Sequence, residues 1–322
     1  MKILITGSSG FLGQGLLESL RQDCGREVHL ALHRLSSIEP MKDLPHTLVG
    51  EIRPDTNWRS ALQDCQAVIH CAARVHLMGN NEPNSLAAYR VVNTQGTINL
   101  ARQAAEAGVG RFVFISSIKV NGEETMIDTP FTADDNPKPL DAYAISKFEA
   151  EQGLWSLADE TGMEIVIIRP PLIYGPGVKG NFESLMRWLY RGLPLPFGAI
   201  RNKRSLVSRS NLVDLIATCL DHPAAANQVF LAGDGEDLST TELLHRTANA
   251  LGKPARLVPV PVSLLEQVGG LLGKRDLIHR LCGSLYVDIG KTRSLLEWQP
   301  PVSVDDALEE TARAFLHSHK SL

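Results

Sequence analysis

Cysteine is scarce in this chain: five residues among 322, with no C-x-x-C pair. Cys24, Cys65, Cys71, Cys219 and Cys282 are too scattered for a disulfide frame or a zinc site, and read as thiols of a reducing compartment. His33, His70, His317 and His319 show no metal spacing, so they read as structural or solvated and no metal is expected. An excess of one charge is missing too. The 32 Lys and Arg against 36 Asp and Glu leave a formal net charge of -4, which gives no reason to expect a nucleic-acid partner. The one basic cluster, Arg201-Asn-Lys-Arg204, suits a solvated loop or a site for one small anion. Long apolar runs are absent. The most lipid-like stretch, Val260 to Leu272, is too short for a bilayer span and is broken by Pro261, Glu266 and Gln267. No apolar leader precedes the first strand pattern at residue 2, so the expected location is the cytoplasm.

What is present starts at Lys2-Ile-Leu-Ile-Thr-Gly7-Ser-Ser-Gly10-Phe-Leu-Gly13, a buried-strand pattern running into three glycines at three-residue spacing. A tight turn whose backbone must approach a pyrophosphate needs glycine, and the helix behind it offers free N–H groups and a positive dipole end. Glycine turns also follow strands for purely structural reasons, so a second motif has to support the reading. Candidate strands Lys2–Ile5, Val28–Leu32, Ala67–His70, Arg111–Ser116 and Glu164–Ile168 alternate with helical patterns at Phe11–Arg21, Asn84–Ala107 and Tyr143–Thr161. That alternation predicts an α/β fold, a doubly wound parallel sheet of Rossmann type. After Arg169-Pro-Pro, glycine and proline become frequent and short helices dominate. The expected division is a dinucleotide-binding domain at 1–171, with returns near 206–233, and a smaller, mostly helical substrate lobe at 172–205 and 234–322. A helix near Leu212–Leu220 and a strand at Gln228–Leu231 are the expected returns to the sheet.

The second motif is Tyr143-Ala-Ile-Ser-Lys147. Residues four apart on a helix share a face, so phenol and ammonium sit about one turn apart. A phenol ionises near pH ~10 and is a poor proton carrier at neutrality. A nearby lysine, together with the positive ring of an oxidised nicotinamide, favours phenolate. Val113-Phe-Ile-Ser116-Ser117 supplies the hydroxyl such chemistry needs at the end of a neighbouring strand. Serines also end strands without any catalytic purpose, and a Tyr-Lys pair can be an ordinary surface pair. The chain order of turn, serine and tyrosine is what gives the set weight.

With these residues in view, the chain resembles the extended short-chain dehydrogenases/reductases of the NAD-dependent epimerase/dehydratase family. Further matches are His70-Cys-Ala72-Ala73, Asn93-Thr-Gln-Gly96-Thr97, Arg169-Pro-Pro-Leu-Ile-Tyr174-Gly175-Pro176-Gly177, Asn211-Leu-Val-Asp214 and Leu-Glu-Trp298-Gln-Pro-Pro301. The resemblance implies catalytic roles for Ser117, Tyr143 and Lys147. It implies cofactor contacts from Gly7, Ser9, Gly10, Phe11, Leu12, Gly13, Ala72, Ala73, Asn93, Lys147, Pro170 and Ile173, with His33, Arg34, Glu51 and Ile52 toward the adenosine end. It implies substrate contacts from Ser117, Lys119, Asn181, Arg204 and Arg280, and a homodimer. Arg204 and Arg280 are the expected anion ligands, and a UDP-linked sugar the expected partner.

Departures from the family pattern narrow the chemistry. The dehydratases of the group place threonine, Asp and Glu where this chain has Ser117, Ile118 and Lys119, and in the related decarboxylases the position of Lys119 resembles a glutamate. Redox at a single sugar carbon remains. At the end of the second strand an acidic residue would hold an adenosine 2′-hydroxyl; Ala31-Leu32-His33-Arg34 has none, and a guanidinium suits a 2′-phosphate. NADP(H) is therefore favoured over NAD(H). The leading expectation is reduction of a UDP-4-keto-6-deoxy-N-acetylhexosamine, serving lipopolysaccharide O-antigen synthesis. The first alternative is a UDP-hexose 4-epimerase holding NAD tightly. A cofactor-sensing protein without turnover ranks below both, since both Tyr143 and Lys147 are present.

Overall fold

The computed structural model describes residues 1–34, 44–75, 85–126, 128–271, 273 and 275–319. Its strands in chain order are β1 (Lys2–Thr6), β2 (Glu27–Leu32), β3 (His46–Leu48), β4 (Ala67–His70), β5 (Arg111–Ile115), β6 (Glu164–Arg169), β7 (Leu172–Tyr174), β8 (Arg204–Ser208), β9 (Gln228–Leu231) and β10 (Asp237–Leu238). Seven of them form one parallel sheet in the order β3-β2-β1-β4-β5-β6-β9. The order reverses between β1 and β4, and the crevice at such a reversal is where open α/β sheets bind their ligands.

Alternation along the strands builds two cores. Ile3, Ile5, Ile69, Val113, Val166 and Ile168 face the helices Phe11–Leu20 and Arg209–Asp221. Leu4, Val68, Phe112, Phe114, Ile165 and Ile167 face Thr97–Glu106 and Ala142–Thr161. Near-continuous apolar strands are what burial on both faces requires. All five expected strands are present to within a residue or two, and the returns at Arg209–Asp221 and β9 rejoin the sheet. The expected helix from Asn84 starts among residues outside the description; from Leu86 it runs to Glu106 through a π-helical stretch at Arg90–Gly96.

Two features depart from expectation. β7, β8 and β10 form a second, three-stranded sheet where only short helices were expected. These strands have two to five residues, too few for any period to show. A third cluster, including Phe182, Met186, Leu189, Leu244 and Phe315, fills the lobe behind this sheet. The C-terminal segment was assigned wholly to that lobe, yet Leu285, Val287, Ile289, Leu296 and Trp298 pack into the sheet core. Trp298 anchors there by donating to Asp214 on the returning helix, at 2.7 Å.

Candidate active site

The glycine turn leaves β1 at Gly7, whose φ of +74° favours glycine. A Cβ on Gly7 would lie 2.7 Å from the backbone nitrogen of Ala72, and one on Gly13 would collide with the carbonyl of Gly7. The turn is therefore packed hard against the loop leaving β4. Gly10 caps the helix Phe11–Leu20 without a side-chain acceptor, and the first turn holds no acidic residue. The Ser8 hydroxyl is buried and has no partner among the described residues. Bare N–H groups, an unpaired hydroxyl and no competing carboxylate fit the diphosphate of a dinucleotide.

A chain of neutral hydrogen bonds braces this turn from below. Ala72 N–H donates to Thr6 Oγ1 at 3.3 Å, Thr6 meets His70 Nδ1 at 2.7 Å, and His70 Nε2 meets Thr97 Oγ1 at 3.0 Å. Thr97 donates onward to the Asn93 carbonyl, which assigns the Nε2–H tautomer to His70. Burial pushes the His70 imidazole down to about 3, so it stays neutral. The structural reading of this histidine holds. Asn93, expected to touch cofactor, has its amide committed elsewhere: it donates to the Arg74 carbonyl and Ser146 Oγ and accepts from Arg74 N–H. It holds the loop after β4 in place.

At the adenosine end, His33 and Arg34 are exposed, with Arg34 Nε 3.3 Å from His33 Nδ1. Glu51 is taken by Arg53, which lies 2.8 Å away through Nε, and Ile52 packs beneath Gly96. Arg53 is a cation that the sequence reading passed over. It lowers the Glu51 carboxyl first by hydrogen bonding and then by charge, with smaller help from His33 and Arg34.

Two of the proposed catalytic residues, Ser117 and Lys147, lie at the exit of β5, and Tyr143 stands one turn before Lys147 on its helix. Lys147 is buried and donates to the Ile115 carbonyl at 2.7 Å, with its ammonium 4.2 Å from the Phe114 ring centre. Ser117 follows two residues later, and its hydroxyl accepts from Lys119 N–H at 3.3 Å. Asp141 caps the helix that carries Tyr143, accepting from Ala144 N–H at 2.7 Å. The same carboxylate binds Lys119 at 2.5 Å, so an ion pair ties the Ser117 loop to the Tyr143 helix. Lys119 also reaches Glu123 at 3.1 Å; its charge is engaged by protein carboxylates, not left facing a ligand.

Burial pushes Lys147 down to about 8, against the upward pull of Cys71 and Glu151. Tyr143 is raised, chiefly by burial and then by Asp141 and Tyr89, whose ring meets it edge-on at 6.1 Å. This differs from the expected lowering. In the chain alone the ammonium is spent on Ile115 and the phenol sees apolar walls and an anion. A positive nicotinamide ring is the group that would reverse the direction.

On the lobe side, Glu124, Thr125, Arg201, Asn202, Gly283 and Ser284 help line a cavity of about 890 Å³. Arg204, at the start of β8, donates to the Gly283 carbonyl at 3.3 Å and pairs with no carboxylate among the described residues. Burial pushes its guanidinium down, with Glu124 opposing. A half-buried, uncompensated guanidinium is a ready anion site. Asn181 opens the helix Asn181–Tyr190 and is exposed; Arg280 lies exposed in the last turn of Arg275–Cys282. Pro170 accepts from Ile118 N–H at 3.0 Å, and Ile173 lies in β7, half-buried. None of the cavity walls is Ser117, Tyr143 or Lys147; its lining comes from residues 124–126, 199, 201, 202, 262 and 282–284.

A glycine turn at the sheet reversal, with Lys147 docked at the next strand's exit and Tyr143 one turn before it on the same helix, fits a nicotinamide-dependent enzyme of the short-chain dehydrogenase/reductase class. Residues 3–233 match the model of the NAD dependent epimerase/dehydratase family, and the chain belongs to that family. It is 50% identical to UDP-glucose 4-epimerase of Vibrio cholerae over 319 residues, 98% of this chain and 96% of that protein. It is 27% identical to the N-acetyl-alpha-D-glucosaminyl-diphospho-ditrans,octacis-undecaprenol 4-epimerase of Escherichia coli O157:H7, over 99% and 96% of the two chains. Among solved structures, UDP-glucuronic acid 4-epimerase from Bacillus cereus in complex with NAD superposes with a TM-score of 0.79 at 22% identity, covering 98% and 99%. No helix among the described residues is long and apolar enough to cross a membrane.

Proposed function

We propose that this enzyme is a UDP-hexose 4-epimerase that keeps NAD bound through turnover. The observation that carries the choice is the 50% identity, over nearly the whole chain, to a protein named UDP-glucose 4-epimerase. It favours the epimerase over the 4-keto reductase that leads the sequence expectations. NAD follows from the family's description and from relatives solved with it.

Gly7, Gly10 and Gly13 would hold the coenzyme's diphosphate, and Lys147 its ribose. When bound, the coenzyme supplies reversible hydride transfer at the sugar's C4. Tyr143 takes the proton from the 4-hydroxyl and returns it, while Ser117 donates a hydrogen bond to the same oxygen. Lys147, charged below about pH 8, favours the phenolate. Arg204 takes the substrate diphosphate beside the lobe cavity, which is large enough for a nucleotide.

One observation favours a second reading. His33 and Arg34, with no carboxylate of their own strand end, suit the 2′-phosphate of NADP(H), the coenzyme of a reductase that exchanges it each cycle. Purified protein separates the two. Stoichiometric NAD released on denaturation, with UDP-glucose and UDP-galactose interconverted without added coenzyme, is the expected result. Protein that leaves purification free of coenzyme and consumes NADPH with a 4-keto sugar nucleotide would replace the epimerase reading by the reductase.

A further inference from the structure

Glu151 lies outside every motif the sequence reading used, yet it is among the least exposed charged groups in the chain, at 1%. It stands one helical turn beyond Lys147 and two beyond Tyr143, so all three project from one face of Ala142–Thr161. Two of them, Lys147 and Glu151, dock at the exit of β5. Lys147 bonds Ile115 O, and Glu151 Oε1 accepts from Ser116 Oγ at 2.5 Å. The carboxylate is also clamped in bidentate fashion by Arg169 at the end of β6, through Nε at 3.0 Å and Nη2 at 2.5 Å. Arg169 Nη1 then donates to Asn121 Oδ1 at 3.0 Å, and Asn121 Nδ2 to the Thr132 carbonyl at 2.8 Å. One carboxylate thus joins the helix of Tyr143, the strand end that presents Ser117, and the loop beyond it.

We propose that Glu151 is a positioning residue for the Ser117–Tyr143–Lys147 group: its buried carboxylate fixes Ser116, hence Ser117, and is the anion that sustains the Lys147 ammonium. This rests on the catalytic reading above. The other groups facing Lys147 do not supply that anion. Cys71 and His70 come from the end of β4, one a thiol pushed up to about 12 and the other a neutral imidazole. Phe114 offers a ring face and Ile115 a carbonyl; Tyr143, on the same helix, is raised in the chain alone and would become an anion only with the coenzyme's positive ring beside it. Burying a carboxylate and a guanidinium is costly and is weak evidence of stabilisation, which leaves function as the reason to keep the pair here.

The test is the pH dependence of kcat in Glu151→Gln and Glu151→Asp, using the epimerase with its bound coenzyme. Loss of the carboxylate makes the Lys147 ammonium harder to hold, so its proton leaves at lower pH. In Glu151→Gln the alkaline limb should move down by about 1 pH unit, with KM within about threefold of wild type. Glu151→Asp disturbs packing but keeps the charge, and its limb should stay in place. A folded Glu151→Gln whose limb does not move overturns the proposal, because a scaffold role changes stability and not that limb. Should Glu151→Gln fail to fold, Ser116→Ala decides: kcat about tenfold lower at unchanged KM supports positioning, and unchanged kcat overturns it. Tyr143→Phe run alongside separates the two failures, since activity surviving that change sinks the catalytic reading itself.

Discussion

The exits of β1 and β4 and the exits of β5 and β6 lie side by side on one sheet rim, yet they are braced in opposite ways. Under the glycine turn everything is neutral: Thr6, His70 and Thr97 pass hydrogen bonds along, and the histidine is kept uncharged. Around the proposed catalytic residues charges are buried: Lys147 itself, and Glu151 paired with Arg169. The turn must accept a doubly anionic diphosphate, and a fixed protein charge near it would bias that binding or compete for the N–H groups. The neighbouring exit must move a proton, and buried charges in a poorly polarisable setting set the protonation of a phenol strongly. In the proposed function, the first pair of exits binds coenzyme and the second carries the reaction.

Breaking the charged side should give the largest effect. Tyr143→Phe removes the proton carrier and should lower kcat at least ~100-fold, while titration of the protein by coenzyme fluorescence shows binding retained. Gly13→Ala attacks the neutral side instead. Its methyl meets the Gly7 carbonyl, so the turn must open, and coenzyme affinity should fall by roughly tenfold or more, with a few kcal/mol lost from stability. Calorimetric titration with NAD and a melting curve check both. Equal loss of coenzyme affinity in the two variants would erase the contrast between the two exits.

The smallest effect sharpens the comparison through pH. His70 has a folded pKa depressed from 6.5 to about 3, so the unfolded chain binds its proton first as pH falls. Stability contributed by the neutral imidazole is complete above pH 6.5 and drains away below it, by about 1.4 kcal/mol per pH unit until pH approaches 3. Urea unfolding between pH 7 and pH 4 should show that slope, and His70→Gln should flatten it. A slope that survives the substitution assigns it to other groups.

The contrast also explains what the sequence made legible. Gly7 and Gly13 stand out because backbone packing leaves no room for a side chain, with a positive φ at Gly7 as well, and Gly10 sits close against the Gly7 carbonyl. Tyr143 and Lys147 stand out because a four-residue spacing on a helix has few readings that place a phenol by an amine. Glu151 was silent, and Arg169 entered only as the start of a matched motif with no partner assigned. An acidic residue on a helix reads as solvated surface, and an arginine after an apolar strand reads as its end; only the packing of two distant elements shows them paired. β7, β8 and β10 were hidden because strands this short are selected by their partners, not by their own pattern. The raised Tyr143 was missed because sequence spacing shows the neighbouring lysine and not the carbonyl that occupies it.

The lobe cavity has walls from four distant stretches, around Glu124–Met126, Ala199–Asn202, Val262 and Cys282–Ser284. The glycine turn and strands β1 to β6, by contrast, lie within the first 169 residues. During synthesis on the ribosome, then, the glycine turn emerges long before the last walls of the lobe cavity. A nascent chain ending just past β6 would still lack the returning helix Arg209–Asp221 and strand β9 that complete its sheet core.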